Sequence, residues 1–283
     1  MKKKYLKVMA FIVAFILLVG VGWLANALNG NPVSKMLATN TAKKYLAKHY
    51  ADTDYYIERI NYNFKDGNYH AFIKSPTSMD TEFSLYLTML GELRSDTYED
   101  VLNGFNTARR VEQEYRELTD TLFENPSFPY TCSIGFGTLE IYPEEVIGNP
   151  NIDDVPSYAI NQNELVLDKI YDIKELGKQA GHLILYVESD NVTIENTAKI
   201  MLDIKAQFDN AGIPFTAMDF TLQFPKPEEG RRPEGEVNVA DFPYNEIYEL
   251  GMVDRVREAD NALKAYYAEL DTKEKEQEQV INE

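Results

Sequence analysis

Apolar residues and glycine run from Val8 to Leu28 with Asn26 as the one polar interruption, a density repeated nowhere else in the chain. At 1.5 Å rise per residue this stretch predicts a helix of roughly 31 Å, about the thickness of a bilayer's hydrocarbon core. A helix satisfies its own backbone hydrogen bonds, as a lipid interior requires. Lys2, Lys3, Lys4 and Lys7 precede the run with no acid among them. That bias predicts a cytoplasmic basic segment at 1–7, a single-pass transmembrane anchor at 8–28, and an extracytoplasmic remainder. Trp23 falls where an indole suits the water interface. A second reading stays open, because Ala25-Asn26-Ala27 has the small-x-small form of a signal-peptide cleavage site. Against it, the run exceeds the about 7–15 residues of a signal-peptide core. Both readings export the rest of the chain. No cysteine lies near the run, which excludes a lipoprotein anchor.

After Leu28 the period changes. Asn31-Pro32 predicts an N-cap and first helical residue. Val33, Leu37, Ala38, Ala42, Tyr45, Leu46 and His49 then fall on one side of a helix ending near Tyr50. From Tyr55 to Lys65 the pattern alternates, with Tyr56, Ile60, Tyr62 and Phe64 on one face. Asp66-Gly67 predicts a tight two-residue hairpin into Asn68–Ser75, and Thr81–Met89 forms a third strand. Ser95-Asp96-Thr97 predicts the cap of a helix striped from Tyr98 to Leu122, with Gly104 as a point of division. This order predicts an α+β domain at 31–125, a sheet curled round a helix in a cystatin-like or NTF2-like arrangement.

Asn125-Pro126-Ser127-Phe128-Pro129 predicts the domain boundary. A second α+β domain is expected at 129–272. It opens with a strand at Tyr130–Tyr142, a loop at 143–162, and a short helix at Leu165–Leu176 ended by Gly177 and Gly181. His182–Glu188 reads as a buried strand. Thr193 caps a helix that Gly212 closes, and Pro214–Phe224 is the next strand, so the three form a strand–helix–strand crossover. Lys226–Gly235 reads as an exposed loop, Glu236–Phe242 as an edge strand and Glu246–Thr272 as a helix. The charged tail 273–283 is expected to fray.

Charge sharpens this picture. Asp and Glu number 46 against 28 Lys and Arg, for a net charge of −18. All the acids lie beyond Leu28, and such a surface repels nucleic acid and anionic lipid at distances beyond direct contact. No downstream basic patch assists membrane binding, so Val8–Leu28 is expected to be the one anchor. Cys132 is the chain's one cysteine, which excludes an internal disulfide.

Motifs for chemistry are sparse. His49, His70 and His182 are the three histidines, and no two of them have the spacing of a zinc site. His182 reads as a core or strand-end residue and His70 as solvent-facing. No Gly-x-Ser-x-Gly elbow occurs. Gly135-Phe136-Gly137 lacks the third glycine and the helix of a dinucleotide loop. Cys132 has no local base and reads as a strand cysteine. Glu144-Glu145, Asp153-Asp154 and Glu188-Ser189-Asp190-Asn191 carry the oxygens that calcium takes, but none fits the twelve-residue loop, and they read as solvated turns. Arg231-Arg232 is a basic spot at an exposed loop tip. No catalytic, cofactor-binding or metal-binding residue, and no cofactor, is assigned on these grounds.

Two stretches carry a resemblance. Asn31-Pro32-Val33-Ser34-Lys35 with Ala42-Lys43-Lys44-Tyr45-Leu46, and Tyr171-Asp172-Ile173-Lys174-Glu175-Leu176-Gly177 with Gly181-His182-Leu183, resemble the YfjL-like proteins of Gram-positive bacteria. The resemblance covers nearly all of the exported chain. It implies a single-pass, exported protein with an N-terminal and a C-terminal domain, and it brings no assigned activity and no functional residue. The resulting expectation is a non-enzymatic binding or interaction module at the cell envelope, held by residues 8–28 and meeting an envelope protein partner. Two alternatives remain: an envelope hydrolase using carboxylates, and a regulatory partner acting through the span.

Overall fold

The computed structural model describes residues 2–149, 152, 155–227 and 229–281. The chain divides into two units, Met1–Thr107 with Val166–Asp168, and Ala108–Leu165 with Lys169–Glu283.

In the first unit α1 spans Lys2–Asn29 and α2 spans Pro32–His49. By length and composition α1 can cross a membrane. Its side chains from Val8 to Leu24 stand exposed, clear of any core. Gly30 separates the helices at φ +69°, in the left-handed region. A Cβ there would collide with the Tyr69 hydroxyl and the Tyr62 ring, so glycine is required. Asn31 caps α2 through Oδ1, which accepts the Ser34 N–H at 2.8 Å, and Pro32 follows as predicted.

β1 (Tyr56–Asn63), β2 (Asn68–Lys74), β3 (Glu82–Leu87) and β4 (Leu93–Asp96) form an antiparallel meander in that order. The first hairpin sits where Asp66-Gly67 places it, but its turn is longer. Asn63 and Asn68 are the last pair, and Gly67 rather than Asp66 takes positive φ, +68°. β4 is a fourth strand where a helix cap was expected. The predicted helix is split as well, into α3 (Glu99–Leu102) and α4 (Phe105–Phe123), with Gly104 between them at φ +79°.

The core of this unit packs Ala38, Ala42 and Leu46 against Ile60, Ala71, Ile73, Phe83, Leu85 and Leu87. Small residues let α2 approach the sheet closely. The buried face of α2 runs through Ser34, Ala38, Ala42 and Leu46, a strict i+4 line. Val33 and Leu37, expected in that stripe, lie outside it and remain exposed.

The second unit begins at Ala108, within α4, and Asn125–Pro129 forms the turn from α4 into β5 (Thr131–Leu139). β6 (Ile141–Tyr142) ends just before the predicted loop, which holds the short elements α5 (Glu144–Ile147) and β7 (Ile160–Asn161), β6 and β7 pairing in parallel. The helix expected over 165–176 is α6 (Ile173–Ala180), whose N-cap is Asp172. Leu165 falls short of it because the Asp172 carboxylate collects the first free N–H groups, of Lys174 and Glu175. Gly177 sits inside α6 rather than ending it.

β8 (Gly181–Glu188), α7 (Ile194–Ala211) and β9 (Ala217–Gln223) form the predicted parallel crossover. Gly212 closes α7 at φ +63°. β10 (Glu236–Pro243) is one of the two edge strands of the sheet β10-β9-β8-β5. α8 (Met252–Ile281) starts after a short 3-10 turn at Tyr244–Glu246 and extends through most of the expected tail. Asn282 and Glu283 lie outside the described residues.

Leu183, Leu185, Val187, Met218, Phe220 and Leu222 face α7 and the start of α8. Near the N-terminal end of β8, Tyr115 of α4 is fully buried. Gly137, Gly177 and Gly181 surround it, and a Cβ on each would come within 2.5–2.9 Å of a Tyr115 atom. That close approach accounts for Gly137 in β5.

Candidate functional site: a charged cluster and its cleft

On the other face of β8 the alternation places His182, Ile184 and Tyr186. His182 pairs with Thr138 on β5 and Ala217 on β9. It is buried, as a core or strand-end reading expects, but its surroundings are ionic. Nδ1 lies 2.8 Å from Glu140 Oε1, and Nε2 lies 3.0 Å from Asp219 Oδ1. Both ring nitrogens therefore donate, and the imidazolium is the form that fits. Burial works against that charge, but the hydrogen bonds and charges of Asp219 and Glu140 outweigh it and raise the pKa to about 9.

Each carboxylate is held from a second direction. Glu140 accepts the Tyr142 hydroxyl at 2.7 Å, and its backbone is fixed by bonds to Ala180 and Ile160. Asp219 Oδ1 accepts the Asp241 N–H at 2.7 Å. Burial alone would raise both carboxyl pKa values, but His182 and these further donors leave both below the ordinary carboxylate range. Asp241 sits at the bulge where the β10–β9 register slips, at φ +48°. That conformation is uncommon outside glycine, and aspartate is among the residues that tolerate it. It aims the carboxylate at the Tyr158 hydroxyl, which donates to Oδ1. Burial, then this contact, push the Tyr158 phenol far above its usual range.

Tyr158 and Asp241 also line a cleft of about 780 Å³. Its apolar side comes from Phe208, Ile213, Pro214 and Phe215, continued by Tyr244. The rings of Phe208, Phe215 and Tyr244 meet edge to face at 5.6 and 5.0 Å. Lys174 and Lys178, one turn apart on α6, complete the wall. Both are exposed, and among the described residues neither is within ion-pair distance of an acid. Asp209, an acid lining the cleft besides Asp241, is engaged by Lys205 at 2.7 Å and the Tyr244 hydroxyl at 2.7 Å. The volume suits a small molecule or a short peptide segment.

Chemically, the cluster is a saturated ion-paired knot. Neither ring nitrogen of His182 is free to accept a proton, and neither carboxylate is held protonated as a general acid must be. The cleft beside it offers apolar contact, the cationic groups of Lys174 and Lys178, and the carboxylates of Asp209 and Asp241, each already hydrogen-bonded.

The other sequence candidates are dispersed. His70 pairs with Asp66 at 2.8 Å and meets the Tyr86 ring edge on at 4.4 Å, so it is half-buried rather than solvent-facing. His49 lies against Tyr45, with ring centroids 4.5 Å apart. The Cys132 thiol is half-buried, and burial, with Glu188 nearby, pushes its pKa up to about 11. That holds it as the unreactive thiol at neutral pH. Arg232 departs from the solvated reading. It folds back onto Glu188 at 2.8 Å and onto Gln223, while Arg231 stays exposed. Glu188 is thereby occupied, and Ser189 and Asn191 hydrogen-bond within their own turn. Glu144 and Glu145 lie in α5. Asp153 and Asp154 lie outside the described residues. Among those described, no group of three or more His, Cys, Asp or Glu is arranged to hold a metal ion.

Fold and site together define a two-domain α+β protein with one long apolar helix at its N-terminus, a shape compatible with a single-pass membrane anchor. The chain belongs to the YfjL-like family: the family models described as "YfjL-like, N-terminal domain" and "YfjL-like C-terminal domain" match residues 4–97 and 114–257. No curated protein and no solved structure matches it.

Proposed function

We propose that this protein is a single-pass, membrane-anchored binding module of the cell envelope, and that the cleft beside His182 is its ligand site. The observation that carries this reading is the meeting of an apolar wall, Pro214 and Tyr244 backed by the buried rings of Phe208 and Phe215, with the exposed ammonium groups of Lys174 and Lys178, which pair with no acid among the described residues. Such a wall selects an apolar body bearing a carboxylate or phosphate, and pre-formed apolar walls with few convergent polar groups are what ligand sites are made of. The His182 knot serves this site by fixing Tyr158 and Asp241, which belong to both. The basic start of α1 supports the orientation, with residues 1–7 cytoplasmic and both domains outside.

Full-length protein in detergent, titrated by calorimetry with acidic amphiphiles and their neutral analogues, tests the site. An acid binds and its neutral analogue binds more weakly. Lys174→Ala with Lys178→Ala weakens the acid roughly tenfold or more, the scale of losing one charge-assisted hydrogen bond, and leaves the neutral analogue unchanged. Equal loss for both ligands, or none, defeats the reading. Protease added outside intact cells digests 31–272 and spares 1–7 if the orientation holds.

A further inference from the structure

The first unit carries an exposed apolar end at the point where α1 leaves it. Tyr62 donates its hydroxyl to the Ala27 carbonyl at 3.2 Å. The Tyr69 hydroxyl donates to Asn31 O at 2.9 Å and accepts the Asn31 N–H at 2.8 Å. Tyr62 faces Tyr69 across β1 and β2, and Tyr69 faces Leu87 across β2 and β3. The tips of both hairpins, Phe64–Gly67 and Thr88–Glu92, therefore point to the same end of the sheet, the end from which α1 emerges. Phe64 is 58% exposed there and Leu90 74%.

The start of α2 joins them. A Cβ on Gly91 would lie 2.8 Å from Leu37 Cβ, so the second tip rests against the second turn of α2. Val33 and Met36 are 63% and 56% exposed on that same stretch of helix. Lys35 and Lys65 lie exposed among these residues. Of the two acids at this end, Asp66 is paired with His70 and Glu92 is exposed. None of Val33, Met36, Phe64 or Leu90 contributes to the core of the unit.

We propose that this end of the first unit is a lipid-contacting face: Val33, Met36, Phe64 and Leu90 enter the headgroup boundary beside the span, with Lys35 and Lys65 at phosphate level. This rests on α1 spanning a membrane. The occupant follows from continuity, since Leu28, the last apolar residue of the span, is followed within a few residues by Val33. Apolar side chains of interfacial elements sit about 5–10 Å into the headgroup–acyl boundary, and basic residues flank them. The domain then has two holds on the membrane, and the hydroxyls of Tyr62 and Tyr69 fix the angle between them.

The native sequence provides the test, because Trp23 is the one tryptophan. Full-length protein is reconstituted into vesicles of phosphatidylcholine and phosphatidylglycerol containing lipid brominated near the top of the acyl chain. Native Trp23 reports the span. In a Trp23→Phe background, Phe64→Trp and Leu90→Trp report the two hairpin tips separately, and Tyr56→Trp, at the far end of β1, is the control. The expected result is quenching of Trp23 and of both tip reporters, the tips several-fold more strongly than the control. Quenching of Trp23 with the tips no more quenched than the control overturns the lipid face and leaves the span standing. Absence of Trp23 quenching overturns the span reading, and the lipid face with it.

Discussion

The two sheets differ in how far along the chain a strand must reach for its neighbour. In the first unit each strand pairs with the next, through turns, in the order β1-β2-β3-β4. In the second, β5 waits for β8 across the whole of residues 140–180, and β8 for β9 across α7. The meander is held by local devices: turns, the Asn31 cap, and a ring cluster of Tyr50, Tyr55, Phe83 and Tyr98. The second sheet is tied at the start of β8 by a knot whose members come from five separated segments, Glu140, Tyr158, His182, Asp219 and Asp241. Non-local pairing pays its loop-closure entropy before contacts reward it. The consequence is that the second unit concentrates its vulnerability, and the first spreads it.

The largest effect tests that concentration. Glu140→Ala leaves the buried His182 charge one partner short, and breaking a buried ion pair from one side costs about 3–5 kcal/mol. Hydrogen exchange resolved by peptide should lose protection over β5, β8 and β9 while β1–β4 keep theirs. Equal loss in both sheets would show that the knot is not local to the second. The same group sets a pH dependence. The folded pKa of His182 lies at about 9 against an ordinary 6.5, so its contribution is complete below pH 6.5 and is lost as pH rises through 9. The linkage is worth about 3 kcal/mol. Glu140 has the opposite sign. Its pKa falls below the ordinary 4.5, so its contribution holds above that pH and fades on acidification. Stability of the second unit should therefore peak between these limits, and Glu140→Ala should flatten the alkaline limb.

Gly181→Ala comes next. A Cβ there meets the Gly177 carbonyl and lies 2.5 Å from the Tyr115 hydroxyl. The carbonyl is backbone and cannot swing aside, so the change costs about 1–3 kcal/mol, as overpacking does. Urea unfolding of the full chain in detergent measures it. A neutral result would mean that the helix–strand contact at Tyr115 is looser than its geometry.

What could be read from the sequence follows the same division. The Asn31-Pro32 cap, the position of the first hairpin, the Thr193 and Gly212 limits of α7 and the edge position of β10 are each written in a few adjacent residues. The misjudged elements required knowledge of distant partners. β4 exists because β3 offers it an edge, and Val33 and Leu37 are exposed because the sheet takes the 34/38/42/46 line instead. The site was the least legible part. His182 could be placed on a buried strand from periodicity. Its ion pairs could not be foreseen, because nothing local says that Glu140 and Asp219 share its face, and with 46 acids in the chain the right two do not stand out. The slip in register that turns Asp241 toward Tyr158 leaves no mark in the sequence beyond a polar Ala-Asp step inside a strand.

The smallest effect tests the spread side of the contrast. Tyr69 makes two hydrogen bonds through one hydroxyl, both to the Asn31 backbone, and its ring is buried beside Tyr62 at 5.2 Å. Tyr69→Phe keeps the ring and removes the hydroxyl. Asn31 lies at the surface end of the unit, where water can replace part of what is lost, so the cost should be about 1 kcal/mol. If the first unit is held by many small local devices, hydrogen exchange at Gly30–Ser34 should quicken while β1–β3 keep their protection. If instead the whole meander loosened, Tyr69 would be to the first sheet what His182 is to the second. The difference between the units would then lie in the chemistry of the tie, a neutral hydroxyl against a buried charge, and not in how many ties each sheet has.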